Sequence, residues 1–330
     1  MRWRIDAMAI TERISVGIAT RNRRTSLLRC LASLALIEEM IDEVLVVDDT
    51  SDEPLGDIAA EAPPAIAARL RVILQPDRQG PIVARNTTVR VARNECVMLM
   101  DDDAYVIDAE AIRRAVEVFS RHADVGAVAF AQAEADGAAW PAAMQPSQES
   151  HACYVPAYIG FAHLLRRSVF LRLGGYLERL HFYGEEKDYC LRLLDDGYTV
   201  VYVPDARVAH VPDRSGRSAS RYLRYVIRND CLSALYHEPL PLPLASVPLR
   251  LLRYVSMRRK GQVEDPGGMS WIVHELAAAL PEAYRSRRPV AWRTFMRWRK
   301  LRRSPPPFPW PEQGRGSWPE QRRGPLASAS

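Results

Sequence analysis

The sequence predicts an α/β fold: a mainly parallel central sheet flanked by helices, followed by a helical C-terminal extension. Three observations carry this. Short apolar runs alternate with helix-periodic segments through the first hundred residues. Polar, chemistry-bearing residues stand directly after several of those runs, where open parallel sheets bind their ligands. From about residue 220 to 303 the strand pattern gives way to helical segments broken by prolines.

The elements follow in order. ISVGIAT (14–20) reads as a strand and SLLRCLASLAL as a helix, then DEVLVVDD (42–49) and RLRVILQ (69–75) as strands. IVARNTTVRVAR is helical, and ECVMLMDDD (95–103) is a fourth strand running into acid. AEAIRRAVEVFSRH is a helix and VGAVAFAQA a strand, while the Ala/Pro-rich stretch to about Ser150 carries no pattern. From Tyr158 the order is strand, helix, a Gly174-Gly175 turn, a helix opening near Glu185 and stopped by Gly197, and a strand ending near His210. The pattern divides the chain into 1–217, a helical region 218–303, and a Pro, Gly and Ser-rich tail 304–330 expected to be disordered.

Composition narrows the function classes. The 330 residues are 48% hydrophobic, enough for a full core. Five scattered cysteines, Cys30, Cys96, Cys153, Cys190 and Cys231, form no C-x-x-C pair, so neither a disulfide framework nor a zinc site is indicated, and a reducing cytoplasm is expected. The N-terminus has no signal-type run, and no stretch of about 18 apolar residues offers a membrane span. The net charge of +5 conceals an asymmetry, because residues 281–330 hold twelve Lys and Arg against three Glu.

The chemistry-bearing residues cluster at strand ends. Asp101, Asp102 and Asp103 repel one another unless a cation or donors stand nearby. Alone, the triplet reads as a solvated strand end. With Thr20-Arg21-Asn22 after the first strand and Asp48-Asp49 after the second, it reads as one wall of a ligand cleft. Glu185 and Glu186 open a helix, where acids are ordinary first-turn residues. Glu185, Asp188 and Arg192 share a face, which predicts a structural Asp188–Arg192 pair. Glu186 instead heads a mostly apolar face, a placement that suits a base directed into a cleft. His210 is either a packed strand-end histidine or a ligand; imidazole with carboxylates suits Mn²⁺, and a carboxylate-dominated site accepts Mg²⁺.

ISVGIATRNR, VLVVDDTS, GPIVARN, VMLMDDDA, LLRRSVFLRLGGY, GEEKDYCLRLLDDGY and PDARVAH, in that order over residues 13–211, resemble the inverting nucleotide-sugar glycosyltransferases of family 2, which have the GT-A fold. The resemblance implies nucleotide-sugar binding over 13–108 and the acceptor and base region over 109–217. It implies that Ala19, Arg21 and Asp49 hold the base and ribose and that Arg85 approaches the diphosphate. Asp101 and Asp103 match the family's D-x-D motif, with Asp103 on the metal, Asp101 or Asp102 touching ribose or metal-bound water, and His210 completing the site. It also implies a divalent cation, Mn²⁺ or Mg²⁺, and a UDP- or dTDP-linked sugar as donor. The family's base is usually the Asp of a Glu-Asp pair; Glu186 stands there, one methylene longer. The reaction implied is hexosyl transfer to an acceptor hydroxyl in polysaccharide, glycolipid or natural-product glycoside synthesis.

PVAWRTFMRWRKLRR (289–303) interleaves aromatics with arginines, as a helix on anionic lipid would, which fits a cytoplasmic protein peripheral to the inner face of the membrane. A helix packing Trp292 and Phe295 on the catalytic domain explains it equally, and no nucleic-acid motif accompanies the charge. Two other classes stay open. A phosphatase using Asp101 as nucleophile would want Thr or Val where Tyr105 stands, and a catalytically idle nucleotide-sugar binding protein would tolerate Glu186.

Overall fold

Aliphatic residues alternate between the two faces of each strand, and helices cover both faces. The computed structural model describes residues 13–212 and 218–309. The first half runs β1 (Ile14–Thr20), α1 (Arg24–Ser33), β2 (Ile41–Asp48), α2 (Pro64–Ala67), β3 (Leu70–Leu74), α3 (Pro81–Val91), β4 (Cys96–Asp101), β5 (Ala104–Val106) and α4 (Ala109–Arg121). It continues through β6 (Val125–Ala133), β7 (Cys153–Val155), β8 (Ala162–Arg166), α5 (Arg167–Arg172), α6 (Glu185–Asp195) and β9 (Thr199–His210). The helical region comprises α7 (Ala219–His237), α8 (Leu242–Lys260), α9 (Gly268–Arg285) and α10 (Trp292–Arg303). No helix among the described residues is long and apolar enough to cross a membrane.

One sheet has the order β3-β2-β1-β4-β8-β6-β9-β5, with β7 beside β9. The parallel expectation holds for β3-β2-β1-β4 and for β6 with β9; β8 against β4 and β6, and β5 and β7 against β9, are antiparallel. The sheet is therefore mixed, because alternation reports which face is buried and not which way a strand runs. Val44, Val46, Met98 and Met100 face α1 and α4, whereas Leu45, Val97 and Leu99 face the layer that includes α3, α5, α6, α7 and α9. Asp108 caps α4, its carboxylate accepting from the Glu110 amide at 2.9 Å.

At the C-terminus one of two expected arrangements forms, and one expectation is corrected. The 289–303 segment turns Phe295, Trp298 and Leu301 onto Leu191 and Leu194 of α6, leaving Trp292 and Met296 about half exposed. Its i, i+3, i+6 apolar spacing is thus satisfied by protein rather than lipid. Residues 304–309, expected to be disordered, lie along β7: the Tyr154 amide donates to the Pro306 carbonyl at 3.0 Å and the Phe308 amide to the Ala152 carbonyl at 2.8 Å. An edge strand offers free backbone groups that composition does not reveal. The rest of the tail, 310–330, lies outside the described residues.

Candidate functional site

Because β1, β2 and β4 are parallel, their C-terminal ends share one rim, and Ala19 stands in register with both Val47 and Asp101. A cleft of about 890 Å³ opens there. Its lining brings together all nine residues singled out from the sequence: Ala19, Arg21, Asp49, Arg85, Asp101, Asp102, Asp103, Glu186 and His210.

Several of these have partners within the chain. Arg21 pairs with Asp52 at 2.9 Å. The Asp49 carboxylate accepts from the Gln79 amide at 2.8 Å and the Gly80 amide at 3.0 Å, holding the loop that enters α3. Asp102 is buried, with one oxygen accepting from Thr20 Oγ1 at 2.7 Å and the other from Arg23 at 3.0 Å. Both oxygens of Asp102 thus already have protein donors. Burial pushes its carboxyl up to about 6 against the opposing pull of Arg23 and Thr20. Arg85, expected at the diphosphate, lies buried between Asp101 and Glu185, 2.6 Å from Glu185 Oε1.

The acidic triplet divides by strand geometry. Asp101 ends β4, the chain turns through Asp102 and Asp103, and β5 then pairs antiparallel with β9 in the register Ala104 to His210. That pairing carries His210 back to Asp103, and ligand atoms of Asp101, Asp103 and His210 all lie within 4.8 Å of one another. Two carboxylates and an imidazole form an oxygen and nitrogen donor set of the kind that takes Mn²⁺ or Mg²⁺. The imidazole is held for such a role. Trp140 and Phe161 both stack on its ring, with centroids at 5.4 and 5.1 Å. Gln132 donates its amide to the Met144 carbonyl, so its Oε1, 2.7 Å from His210 Nδ1, is an acceptor; Nδ1 carries the proton and Nε2 faces Asp103 Oδ1 at 3.6 Å. Nε2 and the Asp103 carboxylate thus face each other as a pair of groups able to hold a divalent cation jointly.

The opposite bank is built on a strained turn. His181 (φ 57), Tyr183 (φ 68) and Gly184 (φ 86) all have positive φ immediately before α6. Asn229 of α7 holds them: its buried amide lies 2.8 Å from each of the Leu180, Phe182 and Tyr183 carbonyls. Glu185 and Glu186 follow, both lining the cleft. Glu186 lies so close to the Gly160 backbone that a Cβ there would come within 2.1 Å of its Oε1. Burial, then the neighbouring Glu185, push the Glu186 carboxyl up to about 8, with Arg85 opposing. Glu185 is raised as well, chiefly by burial. The Asp188–Arg192 pair forms at 3.0 Å, and His237 approaches Asp188 at 3.2 Å. Burial pushes Asp188 up, but His237 and Arg192 outweigh it and hold the carboxyl well below the usual range.

Sequence reasoning missed Arg23, Gln132, Trp140, Gly160 and Asn229. The Thr20 position was in view as part of a strand-end cluster. Gln132 lies inside an apolar strand and Trp140 in the patternless stretch, so their meeting with His210 had no local signal. Of the acceptor and base region expected over 109–217, residues 213–217 lie outside the described residues. Ser218, Arg221, Tyr222 and Tyr225 do line the cleft.

Residues 15–174 match the family model described as Glycosyl transferase family 2. Over 221 residues the chain is 27% identical to the uncharacterized glycosyltransferase YwdF of Bacillus subtilis, an alignment covering 63% of this chain and 77% of that protein. Over 214 residues it is 28% identical to the pre-mycofactocin glycosyltransferase of Mycobacterium tuberculosis, covering 60% of this chain but 42% of that longer protein. Among solved structures, the Pyrobaculum calidifontis mannosyltransferase PcManGT in complex with GDP-Man and Mn²⁺ superposes with a TM-score of 0.57 at 20% identity, over 88% of this chain and 85% of that one. S. aureus TarS 1–349 gives 0.59 at 18%, over 83% of each. At such identities these likenesses show the fold.

Proposed function

Through residues 15–174 the chain belongs to glycosyltransferase family 2, and from that premise we propose an inverting, metal-dependent transferase that moves a hexosyl group from a UDP- or dTDP-linked sugar to an acceptor hydroxyl. The observation that carries it is the meeting, in one cleft, of the Asp101, Asp103 and His210 cluster with the Glu186 carboxylate. The likeness to a mannosyltransferase holding GDP-Man and Mn²⁺, and to TarS with UDP-GlcNAc, supports a nucleotide-sugar donor.

In this reading Asp101, Asp103 and His210 hold the cation, Mn²⁺ or Mg²⁺, which when bound neutralises charge on the departing nucleoside diphosphate. Ala19 and Arg21 stand at the nucleotide end, with Asp49 shaping the loop beside it. Arg85 balances Asp101 and Glu185, so that neither carboxylate repels the donor unopposed. Glu186 takes the acceptor proton. Its extra methylene, relative to the aspartate common in the family, is accommodated where Gly160 leaves room. A carboxyl raised to about 8 is a strong base once ionised, and a single base suffices because the acceptor oxygen attacks the face opposite the leaving group.

The labour divides as donor binding over 13–108, acceptor and base over 109–217, and support from 218–303. Five free, buried cysteines fit a reducing cytoplasm, and polysaccharide, glycolipid or glycoside synthesis is the proposed setting. Glu186→Gln tests the assignment: transfer is lost while calorimetric binding of UDP with Mn²⁺ persists, and a fully active variant would overturn it. A wild-type chain that binds donors without turnover across an acceptor panel would instead be an idle binding protein.

A further inference from the structure

Helix α8 carries an apolar stripe that faces solvent. Leu240 at its approach and Leu244, Leu249 and Leu252 along it are 64%, 76%, 64% and 65% exposed, while Pro243 and Tyr254 are buried on the other side. At 100° per residue, the three helical leucines fall within one sector about 140° wide. Aliphatic residues scattered singly over a surface are ordinary, whereas several on one helix face mark a contact.

The charge on the same helix chooses the occupant. Its nineteen residues include five Lys and Arg and no Asp or Glu. Arg250 and Arg253 are paired with Glu238 and Asp230. Arg258, Arg259 and Lys260 remain exposed, and Arg259, seven residues beyond Leu252, continues the leucine stripe. A second copy of this chain would bring the same excess of positive charge to the contact. A phosphate-bearing lipid surface brings the opposite sign, together with an acyl boundary for the leucines.

We infer that α8 is the membrane-contacting face of this protein, with its leucines at the acyl boundary and its basic end among anionic headgroups. The position of that end fits the site. Asp265 accepts from Arg224 of α7 at 2.7 Å and from Tyr254 of α8 at 2.6 Å, tying the basic end of α8 to the first turns of α7. Those same turns supply Arg221, Tyr222 and Tyr225 to the cleft. A lipid surface under α8 thus presents its headgroups beside the acceptor side of the cleft, and not at α10, where the basic sequence is densest.

The full chain is sedimented with vesicles of phosphatidylcholine alone and of phosphatidylcholine with phosphatidylglycerol, without substrate. This readout is separate from turnover and leaves the transferase reading to its own test. Binding to the anionic vesicles is expected, with little to the neutral ones. The triple change Leu244→Gln, Leu249→Gln and Leu252→Gln should weaken it about tenfold or more at an unchanged melting temperature. Trp292→Gln with Met296→Gln should leave it unaltered. The proposal is overturned by the absence of vesicle binding, by equal binding to both vesicle types, by an unaffected triple variant, or by a wild-type dimer in sedimentation velocity that the triple change dissolves.

Discussion

The two banks of the cleft hold their acids in different ways. On the bank formed by β1, β2 and β4, the buried acids have donors within the chain: Asp49 has the Gln79 and Gly80 amides, and Asp102 has Thr20 and Arg23. On the bank formed by the turn before α6, two adjacent glutamates sit on a backbone with three positive φ values in four residues, and their opposing cation, Arg85, reaches across from α3. The first bank also has left-handed residues, Asn22 (φ 57) and Thr50 (φ 60), but Asp49 and Asp102 there are held by hydrogen bonds from neutral donors and one arginine. The second holds strain and unfavourable charge, which persist only where the surroundings overdetermine them and which are common at sites that do chemistry.

The sharpest way to test this contrast is Glu186→Gln, with an expected loss of transfer of about a thousandfold. The same change should stabilise the fold. The native carboxyl, raised to about 8, holds its proton more tightly than the unfolded one near 4.5, so the wild-type chain loses stability as pH rises through that window. The glutamine variant escapes this loss, and its advantage in urea unfolding should grow from pH 5 to pH 9 to on the order of 2 kcal/mol. For the wild-type enzyme the sign is the reverse in activity, since only the ionised base accepts a proton: kcat/KM should climb about tenfold per unit well below pH 8 and level off above it. A flat profile would remove the base assignment.

Gly160→Ala comes next. A methyl group 2.1 Å from Glu186 Oε1 must displace the carboxylate, so transfer should fall about a hundredfold with UDP affinity unchanged. Asn229→Ala should lower stability by about 2 kcal/mol in denaturant titrations, because buried carbonyls of the strained turn lose their donor. Asn229→Asp should be worse, as it points an acceptor at acceptors. The smallest effect belongs to the other bank. Thr20→Val removes one donor from Asp102 while Arg23 stays, for about 1 kcal/mol and little change in rate. If Thr20→Val proved as damaging to transfer as Gly160→Ala, the distinction between the banks would fail.

The bank built on the parallel strand ends is also the one that could be read in advance. Apolar runs followed by polar residues recur at β1, β2 and β4, and parallel pairing puts their ends on one rim, so sequence order translates into position. Glu186 was legible from its place at the head of an apolar helix face, but its closeness to Gly160 was not. His210 was legible as a strand-end histidine. That it would meet Asp103 depended on β5, a three-residue strand too short to show periodicity, finding its register on β9, and that Gln132 would reach its ring depended on β6 pairing with the same strand. The tail was ambiguous for a related reason: aromatic and basic spacing in α10 fits lipid or protein equally, and its apolar residues pack on α6.

By itself, then, the sequence determined the α/β class, the strand ends that carry the acids, and the helix that carries the candidate base. These follow from local burial and charge, which each segment expresses wherever it lies. Only the tertiary structure decided which acids are already partnered, which turn is strained and who holds it, and which helix shows its leucines to solvent. Each of those depends on groups tens of residues apart meeting at a few ångströms, and no local pattern encodes such a meeting.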